Sequence, residues 1–381
     1  MIAMLSIDKK KPVPFYVQCA DVLAGRIRMK DYPVGGFIPS ERDLCREFKV
    51  ARLTVRKSLS ELVRRGLLES VPGAGNRVVT PERNTARALA IRCVTVRNVR
   101  PVSLSPFYAD IFSGIEQETA RSGCQLVFSA FEKAELWDAN GKARSADVRT
   151  RAARLLKEGG FNGVVFIDGV PDEFVLAVHK SGVPLVLADK FMSHSGVSSV
   201  VPDNISGARD AARYLLDLGH RRIAFLAASQ DPVVEARYRG FLKAHEEVGA
   251  RFDPKLFIRG GYEISPAHAA MKEFLARRRK QDRPTAVFAI NDEAAIGVMK
   301  ALQAQGVKVP DDVSVIGFDD IAWASHTEPP LTTIRIQREE MGRLAANLLI
   351  RQIEAGPDKA PATKLLMRTE LVVRESCAKA C

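Results

Sequence analysis

From residue 91 onward the chain alternates strand-sized, β-rich runs with helix-length amphipathic segments, and no other feature limits its fold so tightly. The runs fall at 91–96, 125–130, 164–167, 185–188, 223–227, 286–290 and 313–316. A strand that returns parallel to its neighbour needs a crossover of about a dozen residues or more, so this rhythm predicts parallel sheets built from βαβ units. The stretch of roughly 290 residues is too long for one compact α/β core. Two sheets are expected, with the chain changing sheet near 201–204 and a binding cleft between them.

Residues 1–80 have a different texture. Tyr16, Ala20, Leu23 and Ile27 recur at the spacing of one helix face until Pro33, Gly35 and Gly36 break the pattern. Ser40 then opens a second helix: its hydroxyl can accept from a free N–H of the first turn, and Asp43 stands at the return position of a capping box. Leu44 and Phe48 supply its apolar side. Lys49, Val50 and Ala51 make a turn, and a further helix runs from Arg52 to Arg65, where Gly66 stops it. Val55, Leu59 and Leu62 form its buried stripe, which leaves Leu53, Arg56 and Lys57 facing outward. Extended pieces at 67–71 and 77–80 flank Pro72-Gly73-Ala74-Gly75-Asn76, a turn-forming cluster. Together these elements predict a helix-turn-helix with a two-stranded wing, followed at 81–89 by a linker without periodicity.

The net charge of +12 is unevenly placed: residues 1–83 hold 16 Lys and Arg against 9 Asp and Glu, a net +7. Clustered cations displace condensed counterions from phosphates, so double-stranded DNA is the expected partner of this segment. With 46% apolar and 27% charged residues, the composition is that of a globular protein rather than a disordered or coiled-coil one. No apolar run approaches the roughly 18 residues of a membrane span, and the brief apolar start precedes three lysines, the reverse of a signal peptide. A cytoplasmic protein without membrane contact is expected. The six cysteines, at 19, 45, 93, 124, 377 and 381, include no C-x-x-C pair, and the six histidines show no metal-ligand spacing. Reduced thiols and no metal are therefore expected. Cys377 and Cys381 lie at the C-terminal end, where fraying is expected.

In open parallel sheets, ligands bind outside the carboxyl ends of the strands. That rule selects Asp168, Asp189, Lys190, Ser229, Asn291, Asp292, Phe318 and Asp319. Carboxylates, amides and aromatic rings suit a neutral polyol, whose hydroxyls both donate and accept while its C–H faces pack on rings. Each Asp and Asn here also suits the N-cap of a following helix, and the two roles stay open. Walker A, G-x-S-x-G, H-E-x-x-H and kinase signatures are absent, so no catalytic site and no cofactor are expected. Gly73-Ala74-Gly75 lies between two short strands and does not open a helix, so it reads as a wing tip rather than a dinucleotide fingerprint. His220, at a helix-to-strand turn, reads as structural.

Residues 39–44 (Pro-Ser-Glu-Arg-Asp-Leu), 50–56 (Val-Ala-Arg-Leu-Thr-Val-Arg), 66–68 and 73–75 resemble the winged-helix DNA-binding domain of the GntR family over about residues 12–80. From 91 to about 375 the chain is similar to the effector domain of LacI/GalR regulators, itself similar to periplasmic sugar-binding proteins. The matching pieces are 163–165, 183–189 (Val-Pro-Leu-Val-Leu-Ala-Asp), 218–224, 237–241, 289–292, 309–320 and 329–334. The pairing resembles the arabinose-responsive repressor group.

The resemblance implies an α/β protein in which a winged helix-turn-helix (1–80) precedes a two-lobed, periplasmic-binding-protein-like effector and dimerisation domain (90–381) with two Rossmann-like, parallel-sheet subdomains. It implies that Arg42, Arg52, Thr54 and Arg56 contact phosphates and base edges, with Gly73 and Gly75 at a wing tip in the minor groove. It further implies that Asp189, Arg237, Asn291 and Asp319 hold effector hydroxyls, with Phe107, Tyr108 and Tyr262 lining the pocket. Arg237 rests on the resemblance alone.

Two departures stand out. Ala51 replaces the Ser or Thr usual in the reader family, and Leu53 presents an apolar side chain able to meet a thymine methyl. The segment 132–147, with Trp137, is longer and more charged than is typical. The expected function is that of a homodimeric transcription regulator, a repressor, whose effector domain closes on a sugar-like molecule. The alternatives are the same architecture responding to a purine or nucleoside, and an α/β sugar-modifying enzyme, for which no reactive residue pair is found.

Overall fold

Helix α1 (Phe15–Arg28), α2 (Glu41–Phe48) and α3 (Arg52–Arg64) pack their apolar faces together around Leu23, Leu44, Val55 and Leu62. They belong to a computed structural model that describes residues 14–29, 31–64, 66–71, 73–79, 89–97, 106–138, 142–167, 169–193, 195–228, 231–356 and 361–380. Residues 81–88 of the linker expected at 81–89, together with Asp168, His194, Ser229 and Cys381, lie outside these residues. Ser40 caps α2, accepting from the Asp43 N–H and donating to the Asp43 carboxylate at 2.5 Å. Lys49 closes α2 in the left-handed conformation (φ 53°), which turns the chain into α3. Strands β1 (Leu68–Val71) and β2 (Gly75–Val78) pair antiparallel as the wing. The wing turn is shorter than expected: Gly75 and Asn76 already belong to β2, because Gly75 tolerates the φ of 110° at which it pairs with Val71.

Residues 89–381 form a second compact unit. Its first lobe contains β3 (Ala90–Arg97), α4 (Pro106–Arg121), β4 (Gln125–Glu132), α5 (Lys133–Leu136), α6 (Ser145–Glu158), β5 (Gly163–Ile167), α7 (Asp172–Lys180), β6 (Leu185–Ala188) and β7 (Ser198–Pro202). The second contains α8 (Asn204–Asp217), β8 (Ile223–Ala227), α9 (Pro232–Glu247), β9 (Phe257–Arg259), α10 (Ile264–Ala276), β10 (Ala286–Ala289), α11 (Asp292–Ala304), β11 (Ser314–Ile316) and β12 (Thr333–Arg335). The chain then returns as α12 (Arg338–Ala355) and β13 (Lys364–Met367) to the first lobe, and ends with β14 (Glu370–Val372) beside β12. The first sheet runs β13-β7-β6-β5-β3-β4 and the second β11-β10-β8-β9, with parallel neighbours throughout.

All seven expected runs are strands. Five others carried no signal: β7, β9, β12, β13 and β14 are 3 to 5 residues long, and β13 alternates exposed and half-buried positions beside β7. The chain changes lobe three times, at Asp203, between β12 and α12, and between β13 and β14, where the sequence suggested one passage. Helix α12 is brought flush against α4 by Gly114 and Gly342: a Cβ at either would land on a carbonyl oxygen of the other helix, that of Glu339 or Ile111.

The expected fraying at the C-terminal end is overturned. Ser376 is buried, donating to the Val315 carbonyl at 2.6 Å and accepting from the Thr332 N–H at 2.8 Å, while His220 Nε2 donates to Ala378 at 3.0 Å. The tail also pairs with β11, whose Val315 N–H donates to the Ser376 carbonyl at 2.8 Å, and the Ala380 N–H donates to the Leu218 carbonyl at 2.9 Å.

Candidate functional site

Asp231 starts α9 by accepting from the N–H groups of Val233 and Val234, both at 2.9 Å, with Pro232 at the first helical position. From this helix Arg237, 3% exposed, reaches three acceptors: Asn204 Oδ1 at 2.8 Å, the Ile290 carbonyl, and Asp319 Oδ1 at 3.0 Å. Its guanidinium lies 3.7 Å from the centroid of the buried Phe318 ring. Asp319 is itself buried and holds φ 110°, a backbone that persists only where its surroundings enforce it. Burial raises the Asp319 carboxyl above its ordinary value, and the charges of Arg237 and Arg338 pull it back.

The structure thus joins Arg237 and Asp319 and sets Asn291, one residue beyond Ile290, beside them. Asn291 also caps α11, accepting from the Ala294 N–H at 2.9 Å. Its neighbour Asp292, a strand-end candidate, is no pocket group: it is wholly buried and accepts from Thr333 Oγ1 at 2.5 Å and the Ile321 N–H at 2.8 Å. Burial, then the charge of Asp319, pushes its carboxyl well above the usual range.

Asp189, Phe107 and Tyr108 belong to the other lobe. Asp189 ends β6 in the left-handed conformation, φ 61°, with its N–H on the Val200 carbonyl. Lys190 pairs with Asp172 at 2.8 Å. Phe107 and Tyr108 open α4 with their rings edge to face, centroids 5.1 Å apart. Tyr262 donates its hydroxyl to Asp231, which ties it to the start of α9. In the long segment, Trp137 Nε1 donates to the Gly169 carbonyl at 2.9 Å, at the end of β5.

Asn204, Asp231, Arg338 and Asp110 escaped the sequence reading. The first two stand at helix starts after strands, where the same strand-end rule could have found them. Arg338 and Asp110 are 228 positions apart, and no local signal joins them.

In the helix-turn-helix, Glu41 holds two arginines of the first turns of α3: Arg52 Nε at 2.7 Å and Arg56 Nε at 3.1 Å. Arg52, then Arg56, keeps the Glu41 carboxyl below its usual value. Arg42, Arg52 and Arg56 are exposed, Thr54 is half-buried, and Leu53 is 66% exposed on the same helix. Gly73 and Gly75 take φ 77° and 110° at the wing. Among the described residues there is no metal-ligating cluster, and no helix is long and apolar enough to cross a membrane.

Residues 15–78 match the gntR family of bacterial regulatory proteins, and residues 212–377 match a periplasmic binding protein-like domain. Over 84% of its length the chain is 32% identical to the HTH-type transcriptional regulator CelR of Thermobifida fusca, 90% of which is covered. The chain belongs to the LacI-type transcriptional regulators. This regulator carries a GntR-type reader, and it is 29% identical to the arabinose metabolism transcriptional repressor of Geobacillus stearothermophilus over 97% of its own length and 99% of that protein. The solved CelR–cellobiose complex matches it with a TM-score of 0.67 at 28% identity, over 86% of the regulator and 92% of that chain. The regulator is a transcription factor, not a sugar-modifying enzyme.

Proposed function

We propose that this regulator represses transcription by binding a DNA operator through residues 1–80, and that a sugar-like effector held by residues 90–381 alters that binding. The observation that carries the reading is the buried Arg237–Asp319 pair of the second lobe, in which Arg237 reaches from α9 to the carboxylate that follows β11. Burying such a pair costs desolvation, and its ionic hydrogen-bonding groups suit polyol hydroxyls. Arg237, Asn291 and Asp319 hold hydroxyls from one lobe; Asp189, Phe107 and Tyr108 close from the other, with Tyr262 behind Asp231. The similarity to an arabinose metabolism repressor and to CelR bound to cellobiose favours a sugar over a purine. Arg42, Arg52, Thr54 and Arg56 meet phosphates and bases, and Gly73 and Gly75 carry the wing tip.

The regulator acts in the cytoplasm as a homodimer joined through the effector unit, because two readers on related half-sites require a two-fold partner. A groove of about 550 Å³ lined by Ile264, Ile296, Met299, Gln303, Trp323 and His326, with Trp323 50% exposed, suits that contact.

Thermal-shift screening against monosaccharides, uronates, oligosaccharides and nucleobases tests the effector class. A ligand at 100 times its dissociation constant adds about 2.7 kcal/mol of stability. A sugar hit lost in Asp319→Asn supports the reading; stabilisation by a nucleobase alone overturns it.

A further inference from the structure

Arg338 opens α12 at the second passage between the lobes, and its guanidinium is divided between the two sides of that passage. Nε and Nη2 donate to Asp110 Oδ2, on α4 of the first lobe, at 2.9 and 2.7 Å. Nη1 donates to the carbonyl of Asp319 and Nη2 to that of Asp320, at 3.1 Å, in the second lobe. The guanidinium also lies 5.7 Å from the ring centroid of Phe107, and its side chain is only 10% exposed.

These two carbonyls belong to consecutive residues at positive φ, 110° for Asp319 and 55° for Asp320. Neither is glycine, so the surroundings must enforce that backbone. The Asp320 carboxylate is gripped by Arg335 at 2.7 Å and Arg374 at 2.6 Å, which fixes one end of the turn. Arg338 donates to both main-chain oxygens, with the Ile336 N–H also on that of Asp319 at 3.4 Å, and the turn then presents the Asp319 carboxylate to Arg237.

We infer that Arg338 is a positioning residue of the effector response: it fixes the Asp319 turn and, through Asp110, ties that turn to α4, the helix that brings Phe107 and Tyr108 from the opposite lobe. The inference rests on the effector reading of Asp319. A ligand that draws Asp319 away from Arg237 moves the Arg338 acceptors, and the displacement reaches α4 through a charge-assisted pair rather than through the backbone of the passages.

Hydrogen–deuterium exchange on the full-length, ligand-free protein tests the tie without knowledge of the effector. The probes are the amides of Asp319, bonded to the Ile334 carbonyl at 2.7 Å, and Ile321, bonded to Asp292 at 2.8 Å. Asp110→Ala alters a half-exposed side chain that contacts neither probe amide. It is expected to speed exchange at both probes at least threefold, and at 107–112, while β8 and β10 amides keep their rates. Asp110→Glu is expected to restore most of the protection, and Arg338→Ala to speed the same amides about tenfold. Unchanged exchange at 319–321 in Asp110→Ala overturns the inference, even if Arg338→Ala fails to fold. A screen that finds no sugar while the exchange coupling persists overturns the effector reading and leaves the tie standing.

Discussion

Arg237 donates to Asp319 across 3.0 Å with both side chains less than a tenth exposed, and the guanidinium is stacked on Phe318. Removing one partner of a buried pair leaves an uncompensated charge, so Arg237→Ala is expected to cost about 3–5 kcal/mol of stability, read by urea unfolding. Asp319→Asn keeps an acceptor for Arg237 but gives up the charge. Its effector affinity is expected to fall at least tenfold, by about 1.5–3 kcal/mol, while ligand-free DNA binding persists. Calorimetry and a gel shift separate the two. Normal ligand binding with lost stability would move the pocket to Asp189 and Asn291.

The reader offers a second test through Glu41, which neutralises the arginines proposed to meet DNA. Arg56→Ala is expected to weaken operator binding by about 1–3 kcal/mol if the guanidinium reads a guanine. Glu41→Gln is expected to act in the opposite sense on random duplex, where freed cations tighten binding and steepen its salt dependence. The ion pairs are exposed, so either change should alter folding stability by no more than about 1 kcal/mol. Gel shifts on operator and random DNA at several salt concentrations decide both. Equal loss on both DNAs with a shallower salt slope would make Arg56 a phosphate contact.

Gly342 lets α12 touch α4, and Gly342→Ala is expected to destabilise the effector unit by about 1–3 kcal/mol, because a Cβ there meets the Ile111 backbone rather than a movable side chain. The midpoint of thermal unfolding reports it. An unchanged midpoint would mean that the helices separate without cost.

Stability should also respond to mild acid. His220 and His245 are buried, and burial lowers both below the ordinary 6.5. Unfolded histidine takes a proton near 6.5 while the folded ring takes one only at lower pH, so between those values the unfolded state binds more protons. The histidine contribution is thus full above 6.5 and declines as pH falls below it, by up to about 1.36 kcal/mol per pH unit for each ring, while the raised carboxyls of Asp292 and Asp319 act in the opposite sense. Urea unfolding at pH 7.5, 6.5 and 5.5 measures the slope. His220→Gln is expected to flatten it; an unaltered slope would exclude His220 as a contributor.

Local rules were enough for much of this molecule. The cap at Ser40, the stripe of Val55, Leu59 and Leu62 in α3, and the seven apolar runs were readable because each depends on residues within a few positions of one another. Asp189, Asn291 and Asp319 were readable as strand-end residues for the same reason. Their meaning was not: Asn291 and Asp292 look alike in sequence, yet one caps a helix beside Arg237 and the other is walled in by Thr333 and Ile321. Strands β12 to β14 and the ordered tail depend on hydrogen bonds exchanged with partners distant in sequence. Arg338 joins α4 to the Asp319 turn across 228 and 19 positions, and no periodicity reports such a pairing. Local spacing determined which elements form, and three passages of the chain between two lobes decided which side chains meet, since burial and charge pairing depend on neighbours that only the folded chain supplies.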